Sequence, residues 1–133
     1  MQKFSLFSLR NLLLIDALTC AAMGSVLALG AFGISPLTDL SEFFLTCVGA
    51  LLLPLALLMA AFAMIPQIRR LGAMVVVAGN IAWVAASIIL PLTGLISPNG
   101  VGLAVILVQA LAVVVLIILE ARALRRSAAP VAA

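Results

Sequence analysis

Four apolar runs, at about residues 12–34, 43–65, 71–92 and 101–119, constrain this chain more than any other feature in it. Each is long enough to cross the roughly 30 Å hydrocarbon layer of a bilayer, which takes about 20 residues in a helix. Within that layer a backbone must satisfy its own polar groups, so runs of this length read as transmembrane helices. Composition agrees: of 133 residues, 67% are hydrophobic and only 8% charged, where a soluble domain carries about a quarter charged. The expected fold is an all-α membrane protein with one domain over residues 1–133. Its four helices form an antiparallel bundle, because every connection is short.

The connections read as follows. Residues 35–42 (SPLTDLSE) form a polar link with Pro36 in the turn and Ser41 or Asp39 as helix caps. Pro54 lies inside the second run and predicts a kink near Ala50, one turn back, where it removes a backbone hydrogen bond. Residues 66–70 (PQIRR) are a tight turn, and residues 93–100 (TGLISPNG) join the last two runs. The end of the chain is a basic helix terminus followed by a frayed Ala/Pro tail. The first run follows basic residues, as in a signal peptide. It exceeds a signal's apolar core of about 7–15 residues and lacks a clean small-x-small site, so it is expected to be retained.

Charge sets the expected orientation. All seven basic residues (Lys3, Arg10, Arg69, Arg70, Arg122, Arg125 and Arg126) fall at the amino terminus, the second connection or the carboxyl terminus. The first and third connections hold only Asp39 and Glu42. With four spans the three basic regions share one side, and the positive-inside rule makes that side cytoplasmic, with both termini. The same rule accounts for the net charge of +3 without a nucleic-acid partner. Arg122, Arg125 and Arg126 read as a lipid-facing basic cluster that stops translocation and meets anionic headgroups.

Ligand supply narrows the chemistry. The chain has no histidine and only two cysteines, Cys20 and Cys47, so metal and haem sites lack donors and no cofactor is expected. The cysteines lie at different depths, which argues against a disulfide, and both read as small core residues. No nucleophile–base pair and no glycine-rich phosphate loop appears, so the chain is not expected to be an enzyme.

The polar residues inside the runs are more informative. At 100° per residue, Gly72, Val76, Gly79, Asn80, Trp83, Ala86 and Ser87 share one face of the third helix, and Met74, Val77, Ile81, Val84 and Ile88 the other. Small residues beside polar ones mark a helix contact. Counted from the expected helix ends, Asn80 and Gln109 lie at matching depth, which predicts an amide pair near the midplane. Gly102, Gln109, Leu116 and Glu120 share the inward face of the fourth helix. Trp83 is too deep for the interfacial belt and reads as core packing with an indole hydrogen bond. Asp16, a carboxylate within a span, marks function by default. It is shallow, and a structural ion pair with Arg10 or Arg122 is the preferred reading over proton coupling. Glu120, at the expected edge, reads as paired with a neighbouring arginine. The candidate polar core is therefore Asp16, Asn80, Trp83, Ser87 and Gln109.

LIDA (residues 14–17), NIAWVAAS (80–87) and PNGVGLAVILVQA (98–110) resemble a set of small four-span bacterial inner-membrane proteins of unassigned activity. The resemblance covers most of the chain. It implies location and fold, transfers no catalytic residue, and implies that Asp16, Asn80, Trp83 and Gln109 belong to one core.

Two functional expectations follow. The first is a non-enzymatic inner-membrane component, accessory or self-associating, whose partners are the bilayer and copies of itself or a larger membrane complex. The alternative is a small proton- or ion-coupled transporter with Asp16 as the embedded carboxylate, similar in size and span number to the small multidrug resistance group. The single orientation implied by the charge bias disfavours antiparallel dimers of that type. A chain with no tyrosine and one tryptophan also offers little for caging an aromatic cation. The sequence names no small-molecule substrate. From the charge bias, reporter fusions at Ala133 are expected to be active only with a reporter that reads the cytoplasmic side. Equal activity of both reporter types would reject a single topology.

Overall fold

The computed structural model describes residues 7–128; Lys3 and the Ala/Pro tail after residue 128 lie outside the described residues. Four helices follow one another: α1 Leu9–Thr38, α2 Glu42–Met64, α3 Pro66–Leu92 and α4 Gly100–Ala128. No strand occurs among the described residues. All four are long and apolar enough to cross a membrane, and the protein is a multi-pass, all-α four-helix bundle.

The helices run further than the apolar runs alone indicate, and the connections are correspondingly tighter. α1 is capped by Ser8, whose hydroxyl accepts from the Asn11 N–H at 3.3 Å, and continues through Pro36 to Thr38. Proline inside a membrane helix removes a single backbone bond, and side-chain hydroxyls can compensate. The carbonyl that Pro36 leaves without its helical donor is that of Phe32, four residues back; Thr38 Oγ1 separately donates to the Ile34 carbonyl at 2.9 Å. The chain reverses instead at Asp39, which takes the left-handed conformation (φ 58°), one that Asp tolerates better than most residues. Ser41 caps α2 by accepting from the Phe44 N–H at 3.0 Å, and Glu42 in the first turn complements the helix dipole. α2 is unbroken through Pro54.

Residues 66–70 are not a turn but the start of α3. Only Ile65 separates α2 from α3, in an extended conformation (φ −108°, ψ 101°). A residue before proline is pushed out of the helical region, and proline is suited to the first helical position. The Arg69 guanidinium donates through Nε to the Ala63 carbonyl at 2.9 Å, satisfying the end of α2. At the other end, Asn99 fastens α4 to α1. Its N–H donates to Thr38 O and its side-chain amide to Leu37 O, both at 2.9 Å, while its Oδ1 accepts from the Gly102 N–H at 2.8 Å.

The bundle is two antiparallel hairpins, α1/α2 and α3/α4, joined along α1–α4 and α2–α3. α1 and α2 make the most extensive contact, α1 touches α3 only slightly, and α2 and α4 do not touch. Gly24 and Gly49 allow the α1–α2 approach: a Cβ on Gly49 would stand 2.5 Å from the Ala28 nitrogen. One apolar cluster (Leu13, Ala17, Met59, Ala63, Ala73 and Val76) packs near the α2–α3 turn, and another (Ala31, Leu40 and Leu45) near the opposite end. Leu29, Phe32, Phe43, Leu57 and Leu92 are exposed on the outside, the surface a bundle presents to lipid. Cys20 and Cys47 are both free thiols; Cys47 is exposed on this outer surface, not in the core.

Because the Gly49 clash is with backbone, Gly49→Ala is expected to destabilise the bundle by about 1–3 kcal/mol through overpacking. Gly33→Ala, in the same α1/α2 pair but with open space around its Cβ, is expected to be neutral or slightly stabilising. Reversible unfolding in mixed micelles measures the difference, and equal effects would reject close backbone contact at Gly49.

Candidate functional site

The inward face of α3 carries the site. Gly72, Val76 and Asn80 are buried, Trp83 and Ser87 half-buried, and Met74, Ile81 and Ile88 exposed on the opposite side. Gly79 and Ala86 depart from the expected helix contact: both are exposed, and each borders a cavity.

Asn80 is the centre. Its side-chain nitrogen donates to Asp16 Oδ2 on α1 at 2.7 Å and to Glu120 Oε1 on α4 at 3.1 Å. An amide NH2 has two hydrogens, and here each serves a different carboxyl group. Asp16 is 2% and Glu120 0% exposed. The second Asp16 oxygen accepts from the Cys20 thiol, with Sγ at 3.8 Å, and the Asp16 and Glu120 carboxyl groups stand within hydrogen-bond reach of each other. The second Glu120 oxygen is buried with no hydrogen-bond partner.

The expected ion pairs are not made. Arg10 lies with Nη2 3.9 Å from Met64 Sδ, Arg126 donates to the Phe7 carbonyl at 2.9 Å, and Arg69 serves Ala63. Arg122 is exposed. Helix geometry explains this. Arg10 precedes Asp16 by a spacing that turns it about 120° away around α1, and Arg122, two residues after Glu120, points to the opposite side of α4. The guanidiniums thus reach water at the bundle's end while the carboxyl groups face inward. Arg125 and Arg126 are exposed with Arg122.

Glu120 is the site residue that sequence reasoning missed. Its signal was its place on one face with Gly102, Gln109 and Leu116, opposite Arg122.

Asn80 and Gln109 do not pair either. The match in depth counts Asn80 from residue 71 on α3 and Gln109 from residue 101 on α4; α4 does start at Gly100, but α3 starts at Pro66, five residues earlier, which sets Asn80 deeper than that count. The true register sets Asn80 against Glu120. Gln109 instead joins a second cluster nearer the other end. Trp83 Nε1 donates to Gln109 Oε1 at 2.8 Å, and Gln109 Nε2 donates to Ser87 Oγ at 3.1 Å and to the Ile106 carbonyl at 2.9 Å. Ser87 Oγ donates to the Trp83 carbonyl at 2.8 Å. In this cluster every side-chain donor has an acceptor.

Two cavities run along the bundle. One of about 380 Å³ is lined by all four helices, with Asp16 and Asn80 in its wall. The other, about 170 Å³, lies toward Leu40, Leu45 and Ile96. Met23, Trp83 and Gln109 line both, so the indole–amide pair stands between them. The walls of the larger one are otherwise mostly apolar, with the ring of Phe62 among them.

The two clusters predict distinct energetics. Trp83→Phe and Gln109→Leu are expected to couple by about 0.6 kcal/mol, the average for interhelical side-chain bonds in membranes. Asn80→Leu and Gln109→Leu, which share no bond, are expected to add within about 0.5 kcal/mol. Double-mutant cycles on unfolding in mixed micelles measure both, and the reverse ranking would contradict this pairing. No family model, curated protein or solved structure matches the chain.

Proposed function

We propose that this chain is a small proton- or cation-coupled carrier of a bacterial inner membrane, with Asp16 and Glu120 as the coupling groups, and that it is not an enzyme. The charge bias supports a cytoplasmic position for both termini. One observation carries the reading: Asp16 and Glu120 are buried, held by the same amide nitrogen, have no basic partner among the described residues, and Asp16 borders a cavity. Two carboxyl groups in such surroundings need a proton or a cation to neutralise them, and intramembrane carboxylates of this kind mark ion pathways.

The contrast with the second cluster favours coupling over packing. A polar core built only to hold helices together closes its hydrogen bonds, as Trp83, Gln109 and Ser87 do. The carboxyl pair keeps one oxygen unpartnered. Nor does a single orientation weigh against a carrier of this form, because the cavity lies within one bundle and not between copies.

The test is flux in proteoliposomes carrying an internal pH dye, challenged with a panel of alkylamines, quaternary ammoniums and alkali cations. The wild-type protein is expected to move protons in response to at least one class, and Asp16→Asn or Glu120→Gln to reduce that movement to the level of empty vesicles. Wild-type rates no greater than empty vesicles across the panel, or rates unchanged in Asp16→Asn, would remove the carrier reading. An accessory or self-associating membrane component would stand in its place.

A further inference from the structure

We infer that the larger cavity binds a lipophilic amine in its protonated form, whose N–H donates to Asp16, and that the amine enters from the bilayer between α2 and α3. This rests on the carrier reading and names its substrate class. The cavity volume of about 380 Å³ falls in the range of roughly 300–1,000 Å³ usual for small-molecule sites. Its walls are mostly apolar side chains, among them Leu52, Leu55, Met59, Leu116 and the ring of Phe62, which suit a hydrocarbon body. Its ionisable wall group is Asp16, so the complementary ligand is apolar with one positive end.

The free valences of the site select the kind of cation. Asp16, the carboxyl group of the pair that reaches the cavity wall, has at Oδ1 a weak sulfur contact at 3.8 Å, and a ligand can compete for it with a charge-assisted hydrogen bond, which requires a donor hydrogen. A quaternary ammonium has none and is recognised by aromatic faces. The cavity offers two aromatic rings, Trp83 and Phe62, short of a cage, and neither can replace the hydrogen bond that an N–H cation makes to a carboxylate. An N–H cation therefore makes a bond to the site that a quaternary one cannot.

Geometry gives the entrance. α2 and α3 close on each other near their turn, where Ala63 and Met59 pack with Ala73 and Val76. Beyond it, Leu58 and Val75 line the cavity while remaining 44% and 50% exposed. Gly79 lies on the same border, and a Cβ there would meet nothing within 4 Å. The cavity thus opens sideways through an apolar slot on the surface that faces lipid.

Trp83 is the chain's sole tryptophan and lines the cavity, so its fluorescence reports occupancy. Purified full-length protein in detergent is titrated with octylamine, octanol and trimethyloctylammonium, which share a chain and differ in the head. Octylamine is expected to give a saturable change, with affinity about tenfold or more above the other two, as a charge-assisted hydrogen bond requires. Asp16→Asn is expected to bring octylamine down to the level of octanol. Parity of octylamine with the quaternary ion, or full octylamine affinity in Asp16→Asn, overturns the assignment.

Gly79→Leu provides an arm that changes neither carboxyl residue, at a position where an added Cβ meets nothing within 4 Å. It is expected to slow octylamine binding by about tenfold or more by filling the slot, a barrier of the size such a factor represents. An unchanged rate overturns the lateral entrance. Asp16-dependent flux with quaternary or alkali cations, together with parity here, would remove the amine and leave the carrier. Selective amine binding without any Asp16-dependent flux would do the reverse.

Discussion

The side-chain nitrogen of Asn80 is the point on which the centre of this bundle depends. It holds a carboxyl group from α1 and another from α4, and so links three helices at one atom. α1 and α3 otherwise barely touch, so much of what relates them is polar. In hydrocarbon, a buried carboxyl group without a donor is worse placed than one in water, which gives the amide a leverage it would not have in a soluble protein. The rest of the packing accommodates it. Small residues near the α2–α3 turn, Ala17, Ala63 and Ala73, let the helices close beneath the site, and the side chains above it leave a cavity.

The two polar clusters divide the labour of the interior. Trp83, Gln109 and Ser87 form a closed set in which donors and acceptors are matched. Such a set specifies register between α3 and α4 and carries no net charge. Asp16, Asn80 and Glu120 form an open set with an acceptor to spare. Placing a closed set between two cavities and an open set in the wall of the larger one joins rigidity at one level to binding capacity at the next.

Much of this was legible in the sequence, and the reasons for the remainder are physical. The four helices and their antiparallel order followed from run length and short connections, because a bilayer allows few alternatives. The inward face of α3 was legible from periodicity. Helix ends were not, since polar residues such as those at 35–38 and 66–70 continue a helix once it reaches the interface. That error propagated into depth: measured from the wrong end of α3, Asn80 was set against Gln109 in place of Glu120. The failed arginine pairs had a different origin. Proximity in sequence was weighed, and rotation about the helix was not, although the spacing of Arg10 from Asp16 and of Arg122 from Glu120 contains it.

The order in which these residues are made has its own consequence. Chains fold from the amino terminus as they are synthesised, so Asp16 enters the bilayer well before its donor, which lies 64 residues further on. Glu120 arrives a further 40 residues after Asn80. Through the first of these intervals the α1/α2 pair has to persist on apolar contact and the close approach at Gly24 and Gly49, with its carboxyl group unserved by Asn80. The extensive α1–α2 contact is then the scaffold of biogenesis. The polar lock closes last, when α4 supplies the final carboxyl group.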